Sequence, residues 1–219
     1  MGIVTNITLV AVVLAWQFGA EQMCRFTRAE FLTGCRALKA DTCKAIQSRL
    51  PELAEKVRSD EELFKDLYRF TYKVTKMSSS KTATCNCFFF QFGLDTSCGQ
   101  RILPVEMAVS LWLLVFSQNE PPILKKWLHF LEEHNQVTGC CADKQKSFSC
   151  CQVRGIPRDT WNMFLNFVQT VGSDLSQYDD TEAWPSLFDD FVEFENDQLN
   201  QNSSTMQDLN RDSTLSSNY

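Results

Sequence analysis

Histidine is nearly missing from this chain. His129 and His134 are the two in 219 residues, too few for an imidazole-based metal or catalytic centre. Eight glycines and six prolines exclude a collagen-like or proline-rich architecture. Basic side chains number 21 against 27 acidic ones, for a formal charge of −6 and a pI near 5.0. That balance argues against a phosphate-binding surface, and so against nucleic acid as a partner. A membrane span is also missing: the apolar run 7–16, in which only Thr8 is polar, is too short to cross a bilayer. Its length would suit a signal-peptide core, but no Lys or Arg precedes it, and a buried core segment explains it equally well.

At 44% hydrophobic and 12% aromatic, the chain has enough apolar material for one large domain or two small ones. Capped helix starts recur. Thr27 and Glu30 have capping-box spacing ahead of Phe31 and Leu32, and Ser59 with Glu62 repeats it before Leu63, Leu67 and Phe70. Asp41 is expected to start a helix running towards Leu50, with Pro51 interrupting it. Val105, Ala108, Leu111, Trp112 and Val115 fall on one helical face, and Ile123, Leu124, Trp127, Leu128 and Leu131 on another beyond Pro121-Pro122. Asp159 or Thr160 is placed to cap a helix carrying Trp161, Phe164, Leu165 and Val168, and a last helix carries Trp184, Leu187, Phe188, Phe191 and Val192. The fold class is therefore all-α. From about Asn196 the composition turns to Asn, Gln, Ser and Asp, which predicts a disordered tail over 196–219.

Two stretches, 74–91 and 137–152, break the helical pattern while holding six of the ten cysteines. Their CxC and CC spacings miss the gaps that zinc ligands need. Each opens on Val and ends on Gln after residues with pyrimidine-rich codons, the outline of an intron read through in frame. They are expected to be retained introns or gene-model errors, aberrant insertions whose excision would join Lys73 to Phe92 and Gln136 to Val153. Transcript sequence across both junctions tests this. A secreted framework of five disulfides is the alternative use of ten cysteines.

Carboxylates concentrate near the end of the chain. Asp159, Asp174, Asp179, Asp180, Glu182, Asp189, Asp190, Glu193, Glu195 and Asp197 follow one another with no Lys, Arg or His between them. A solvated acidic face is the commoner meaning of such a run. Here the acids interleave with Trp161, Trp184, Phe188 and Phe191, and a basic partner would relieve their mutual repulsion. No EF-hand calcium loop is present, so no metal is expected. Cys24 has no histidine placed to activate it as a nucleophile, so no catalytic residue is assigned.

The segments IPRDTWNMFLNF (156–167), DLSQYDD (174–180) and EAWPSLFDDFVEF (182–194) closely resemble the defective-in-cullin-neddylation family, whose members carry a potentiating-neddylation (PONY, or DCUN1) domain. LAWQF (14–18), CRFTRAEF (24–31), FKDLYRFT (64–71) and AVSLW (108–112) agree in order. The resemblance covers about residues 10–195 and implies a compact all-helical domain over 1–195, with degenerate EF-hand-like helix pairs that bind no calcium and no cofactor. It implies a scaffold-type co-ligase without its own nucleophile, cytoplasmic or nuclear. Such a scaffold brings a neddylation conjugating enzyme, and with it the ubiquitin-like modifier, to a cullin. The family's cullin-binding patch maps to Asp159, Ala183 and Asp189. Its groove for the N-acetylated helix of the conjugating enzyme maps to Ala11, Leu14, Met23, Cys24, Phe26, Phe92, Leu111 and Leu114. The family's domain begins further upstream, with helices that close one wall of the groove. The resemblance therefore also implies an N-terminally truncated domain, in which the cullin patch is more intact than the groove. The alternative within the same family is a cullin-binding fragment, inactive or inhibitory.

Overall fold

The computed structural model describes residues 2–22, 25–77, 102–135 and 153–215. Among these the regular structure is helical: α1 (Gly2–Gln17), α2 (Arg28–Leu38), α3 (Cys43–Ser59), α4 (Glu61–Met77), α5 (Val105–Val115), α6 (Leu124–Asn135), α7 (Arg158–Val171) and α8 (Ser186–Leu215). The chain divides into two compact units. The first comprises Met1–Pro121 with Val153–Leu165, the second Pro122–Gln152 with Asn166–Tyr219.

In the first unit α1 packs on α3, α4 and α5. The apolar run contributes to the core: Val12 and Val13 are buried with Val57, Leu67, Val74 and Leu114, and Leu9, Trp16, Leu53, Leu63 and Phe70 close around them. Beside this lies an aromatic stack. Trp161 stacks on Tyr68 (ring centroids 4.7 Å) and on Trp112 (4.8 Å). The Trp112 indole N–H donates to the Tyr68 hydroxyl at 2.8 Å, and that hydroxyl donates to the Trp161 carbonyl at 2.9 Å. Burial pushes the Tyr68 hydroxyl well above its ordinary pKa, so it remains a donor at any working pH. The connections that lead into α5 and α7 meet in an antiparallel bridge, where Leu103 and Ile156 exchange both backbone hydrogen bonds (2.9 and 2.6 Å). No helix among the described residues is long and apolar enough to cross a membrane. Cys35 and Cys43, the two described cysteines, are free thiols, at odds with a framework in which all ten are paired.

The capping box at Thr27 and Glu30 forms as the spacing predicts. The Thr27 hydroxyl accepts the Glu30 N–H at 3.2 Å, and the Glu30 carboxylate accepts the N–H groups of Thr27 (2.6 Å) and Glu21 (2.9 Å). The Thr27 backbone hydrogen bond is the main cause holding the Glu30 carboxyl below its ordinary pKa, opposed by burial. A carboxyl depressed on folding stabilises above the ordinary carboxylate range, and that contribution is lost as pH falls through the depressed value. Thr27→Ala is expected to cost about 1 kcal/mol in urea unfolding. Glu30→Ala should flatten part of the acid-side fall in melting temperature; an unchanged acid limb would refute the second effect.

Other ends differ from expectation. Asp60, not Ser59, starts α4: its carboxylate accepts the N–H groups of Glu62 (3.0 Å) and Leu63 (3.2 Å). The Ser59 hydroxyl instead donates back to the carbonyls of Glu55 and Lys56, closing α3. Thr42, not Asp41, caps α3 through the Ala45 N–H. Helix α3 also continues through Pro51. Proline costs one backbone hydrogen bond there, but its ring is exposed and packing of α3 on α1 and α4 holds the helix together. Helix α7 begins directly after Pro157, whose carbonyl accepts the Trp161 N–H at 3.0 Å, so Asp159 and Thr160 lie within the first turn rather than capping it.

In the second unit, Trp127 and Phe130 of α6, Phe167 of α7, and Phe188 and Phe191 of α8 are fully buried. Phe167 stacks on Phe188 at 4.5 Å, and Trp127 meets Phe191 edge-on at 5.3 Å. Among the residues whose burial is described, Glu195 is the last buried one and 198–200 are exposed, while the backbone stays helical to Leu215. Of the two irregular stretches, Val74 and Thr75 are buried in α4, while 78–91 and 137–152 lie outside the described residues.

Candidate functional site

The three acidic-patch positions are all exposed. Asp159 belongs to the first unit, in the first turn of α7. Ala183 and Asp189 belong to the second, Asp189 in the first turn of α8 and Ala183 just ahead of it. Each aspartate thus sits on the electropositive end of a helix, which favours a carboxylate locally.

The ten carboxylates separate by role once their partners are seen. Glu195 is withdrawn from the surface: its side chain is 11% exposed and pairs with Lys126 of α6 at 3.1 Å. The sequence hides this cation because it lies on an earlier helix. Asp174 and Asp179 build turns. Asp174 accepts the hydroxyl (2.9 Å) and N–H (3.3 Å) of Ser176, and Asp179 accepts the hydroxyl (2.6 Å) and N–H (2.8 Å) of Thr181. These hydrogen bonds, the side-chain ones first, hold both carboxyls below their ordinary pKa. Asp190 moves the other way, raised chiefly by burial and then by the charge of Asp189. Asp180, Glu182 and Glu193 remain exposed.

Asp189 has a partner that spacing does not disclose. The Tyr178 hydroxyl donates to Asp189 Oδ1. Burial, then the Asp189 hydrogen bond and the charges of Asp189, Asp180 and Asp179, push the Tyr178 hydroxyl far above its ordinary pKa, so it stays a donor. Its ring lies edge-on to Phe167 at 6.2 Å.

The groove positions divide. Ala11 is exposed and Leu14 half-buried on α1, and Phe26 is 38% exposed beyond it. Leu111 and Leu114 are buried in the first unit's core. Met23, Cys24 and Phe92 lie outside the described residues. Phe26 packs on Phe18 with ring centroids 5.2 Å apart, and Phe31 meets Phe18 edge-on at 5.7 Å. Phe18 itself is buried against Gly34, where a Cβ would stand 2.2 Å from its ring. Phe31 and Leu32, each 42% exposed, extend this apolar surface. Sequence reasoning placed both only as the apolar start of α2, and their exposure depends on packing. No cluster of His, Cys, Asp or Glu suited to a metal ion occurs among the described residues.

The family model described as cullin binding matches residues 79–194, a span that includes Asp159, Ala183 and Asp189. DCN1-like protein 3 from Homo sapiens is 47% identical over 182 residues, 83% of this chain and 49% of that protein. Its namesake from Xenopus tropicalis is 48% identical over 183 residues (84% and 49%). The Drosophila melanogaster protein of that name is 44% identical over 183 residues (84% and 43%). This chain spans about half the length of these curated relatives. An all-helical architecture, the ordered motifs and a family match over more than half the chain converge: the chain belongs to the cullin-binding, DCN1-like family.

Proposed function

We propose that this chain is a scaffold-type co-ligase for cullin neddylation. It docks a cullin tail domain on Asp159, Ala183 and Asp189. It receives the N-acetylated helix of the conjugating enzyme on the surface around Ala11, Leu14, Met23, Cys24, Phe26, Phe92, Leu111 and Leu114. The observation that carries this reading is the cullin-binding family match across the acidic segment. Exposed aspartates on helix N-terminal turns suit a basic counterpart, and such complementarity contributes both specificity and rapid association. On the groove side, acetylation removes the amine charge, so the helix end can be buried without stranding an ion. The chain supplies no nucleophile in this scheme. Rate enhancement comes from holding the cullin lysine near the thioester carried by the conjugating enzyme, an orientation effect.

A second reading has one observation in its favour: Leu111 and Leu114 are enclosed by core and present no free surface. On that reading the chain holds cullin without productive transfer. Purified cullin, charged conjugating enzyme and modifier, with and without this chain, separate the two. The co-ligase reading expects faster cullin modification that declines with added salt. Unchanged or slowed modification together with retained cullin binding would establish the fragment reading. Absence of salt-sensitive binding to any cullin would remove both.

A further inference from the structure

We propose that Tyr178 is a positioning residue for the acidic docking surface, its hydroxyl fixing the Asp189 carboxylate so that the other oxygen faces a lysine- or arginine-bearing partner. The proposal rests on the docking reading above and adds to it how Asp189 is held ready. Three observations within the second unit support it. First, the Tyr178 hydroxyl donates to Asp189 Oδ1 across eleven residues of sequence, so the contact is tertiary rather than part of a helical turn. Second, both ends of the contact are anchored in one aromatic cluster. The Tyr178 ring lies against Phe167, and Phe167 stacks on Phe188, the residue preceding Asp189.

Third, the backbone that delivers Tyr178 is held in a costly conformation. Gly172 ends α7 with φ +74°, and Leu175 takes φ +61°, a left-handed geometry that a branched side chain resists. The Leu175 carbonyl then accepts the Tyr178 N–H at 3.2 Å. Such strain persists only where surrounding contacts over-determine it, and it concentrates at functional positions. The Tyr178 end of this turn is held by the Phe167 packing and the Asp189 hydrogen bond.

An exposed aspartate at a helix start samples several rotamers, and a basic partner must select one of them. A donor from a packed tyrosine makes that selection before the partner arrives. It leaves the net charge unchanged, so it acts on how long the complex lasts rather than on how fast the partners meet.

The test uses the full chain with a purified cullin tail domain. Tyr178→Phe, which removes the hydroxyl and keeps the ring, is expected to weaken binding by about three- to tenfold. The loss should appear in the dissociation rate, with the association rate and the salt dependence unchanged. A double-mutant cycle distinguishes positioning from general packing. In an Asp189→Ala background, which removes the acceptor, Tyr178→Phe should have no further effect; an equal loss in both backgrounds would overturn the proposal. Asp189→Glu keeps the charge but moves the carboxylate by one methylene relative to the hydroxyl. It should show a comparable loss, and it serves as the test if Tyr178→Phe does not fold. Asp189→Glu binding as tightly as the parent would overturn the proposal. If Asp189→Asn alone binds as tightly as the parent, the docking reading itself fails. If Asp189→Asn weakens binding while Tyr178→Phe does not, positioning alone fails.

Discussion

Asp189→Lys is expected to abolish cullin binding in a chain that still folds. Asp189 is exposed and does not belong to the aromatic core of its unit. What folding loses is the Tyr178 hydrogen bond and a favourable charge in the first turn of α8. A charge at that helix position is worth about 0.3–1 kcal/mol, small against a total stability of about 5–15 kcal/mol. Docking loses far more. Breaking a desolvated charge pair costs about 2–5 kcal/mol, and a lysine here adds repulsion against a basic partner. Affinity should fall by tens- to thousands-fold. Calorimetric titration with a cullin tail domain, beside a thermal melt, checks both halves. A folded variant that binds normally would remove Asp189 from the docking surface.

Trp161→Ala is expected to be the most destabilising single change in the first unit, at about 3–5 kcal/mol. The indole is fully buried and stacked against both Tyr68 and Trp112. Its N–H donates to the Tyr68 carbonyl at 3.1 Å, and Phe164 contacts Trp112 at 5.1 Å. Truncation opens a cavity among rigid rings, which cannot collapse to fill it as flexible aliphatic side chains could. Trp161→Phe keeps a ring in the stack and should cost distinctly less. Urea unfolding measures the difference, and a loss under about 1 kcal/mol for the alanine variant would contradict the packing described. Asp159 precedes Trp161 by two residues on the first turn of α7, so on the docking proposal loosening this stack should also weaken cullin binding.

The legibility of each feature followed its range along the chain. The Thr27–Glu30 capping box was readable because its hydrogen bonds close within three residues. One-residue errors arose where two polar neighbours compete for the cap. At Asp41-Thr42 and Ser59-Asp60 the backbone dihedrals decide which side chain reaches the free N–H groups, and composition does not report them. Pro51 by its local cost predicts a helix stop, which tertiary packing of α3 outweighs. Within the apolar run, length and polarity suit a leader and a core segment equally; burial of Val12 and Val13 shows that these two belong to the core. In the acidic segment the sequence recorded the charge but not its division of labour, since it could not separate the turn-forming Asp174 and Asp179 from the exposed Asp189.

By itself, then, the amino-acid sequence determined the helical faces, the all-α class and the family. These depend on periodicity and on ordered motifs, which need no knowledge of where distant segments lie. Only the tertiary structure decided that Lys126 neutralises Glu195, that Tyr68 and Trp161 hold each other across 93 residues, and that Tyr178 holds Asp189. Each of these pairs joins side chains from different elements. Their meeting is fixed by how apolar faces pack, and that packing is a property of the whole chain rather than of any window along it.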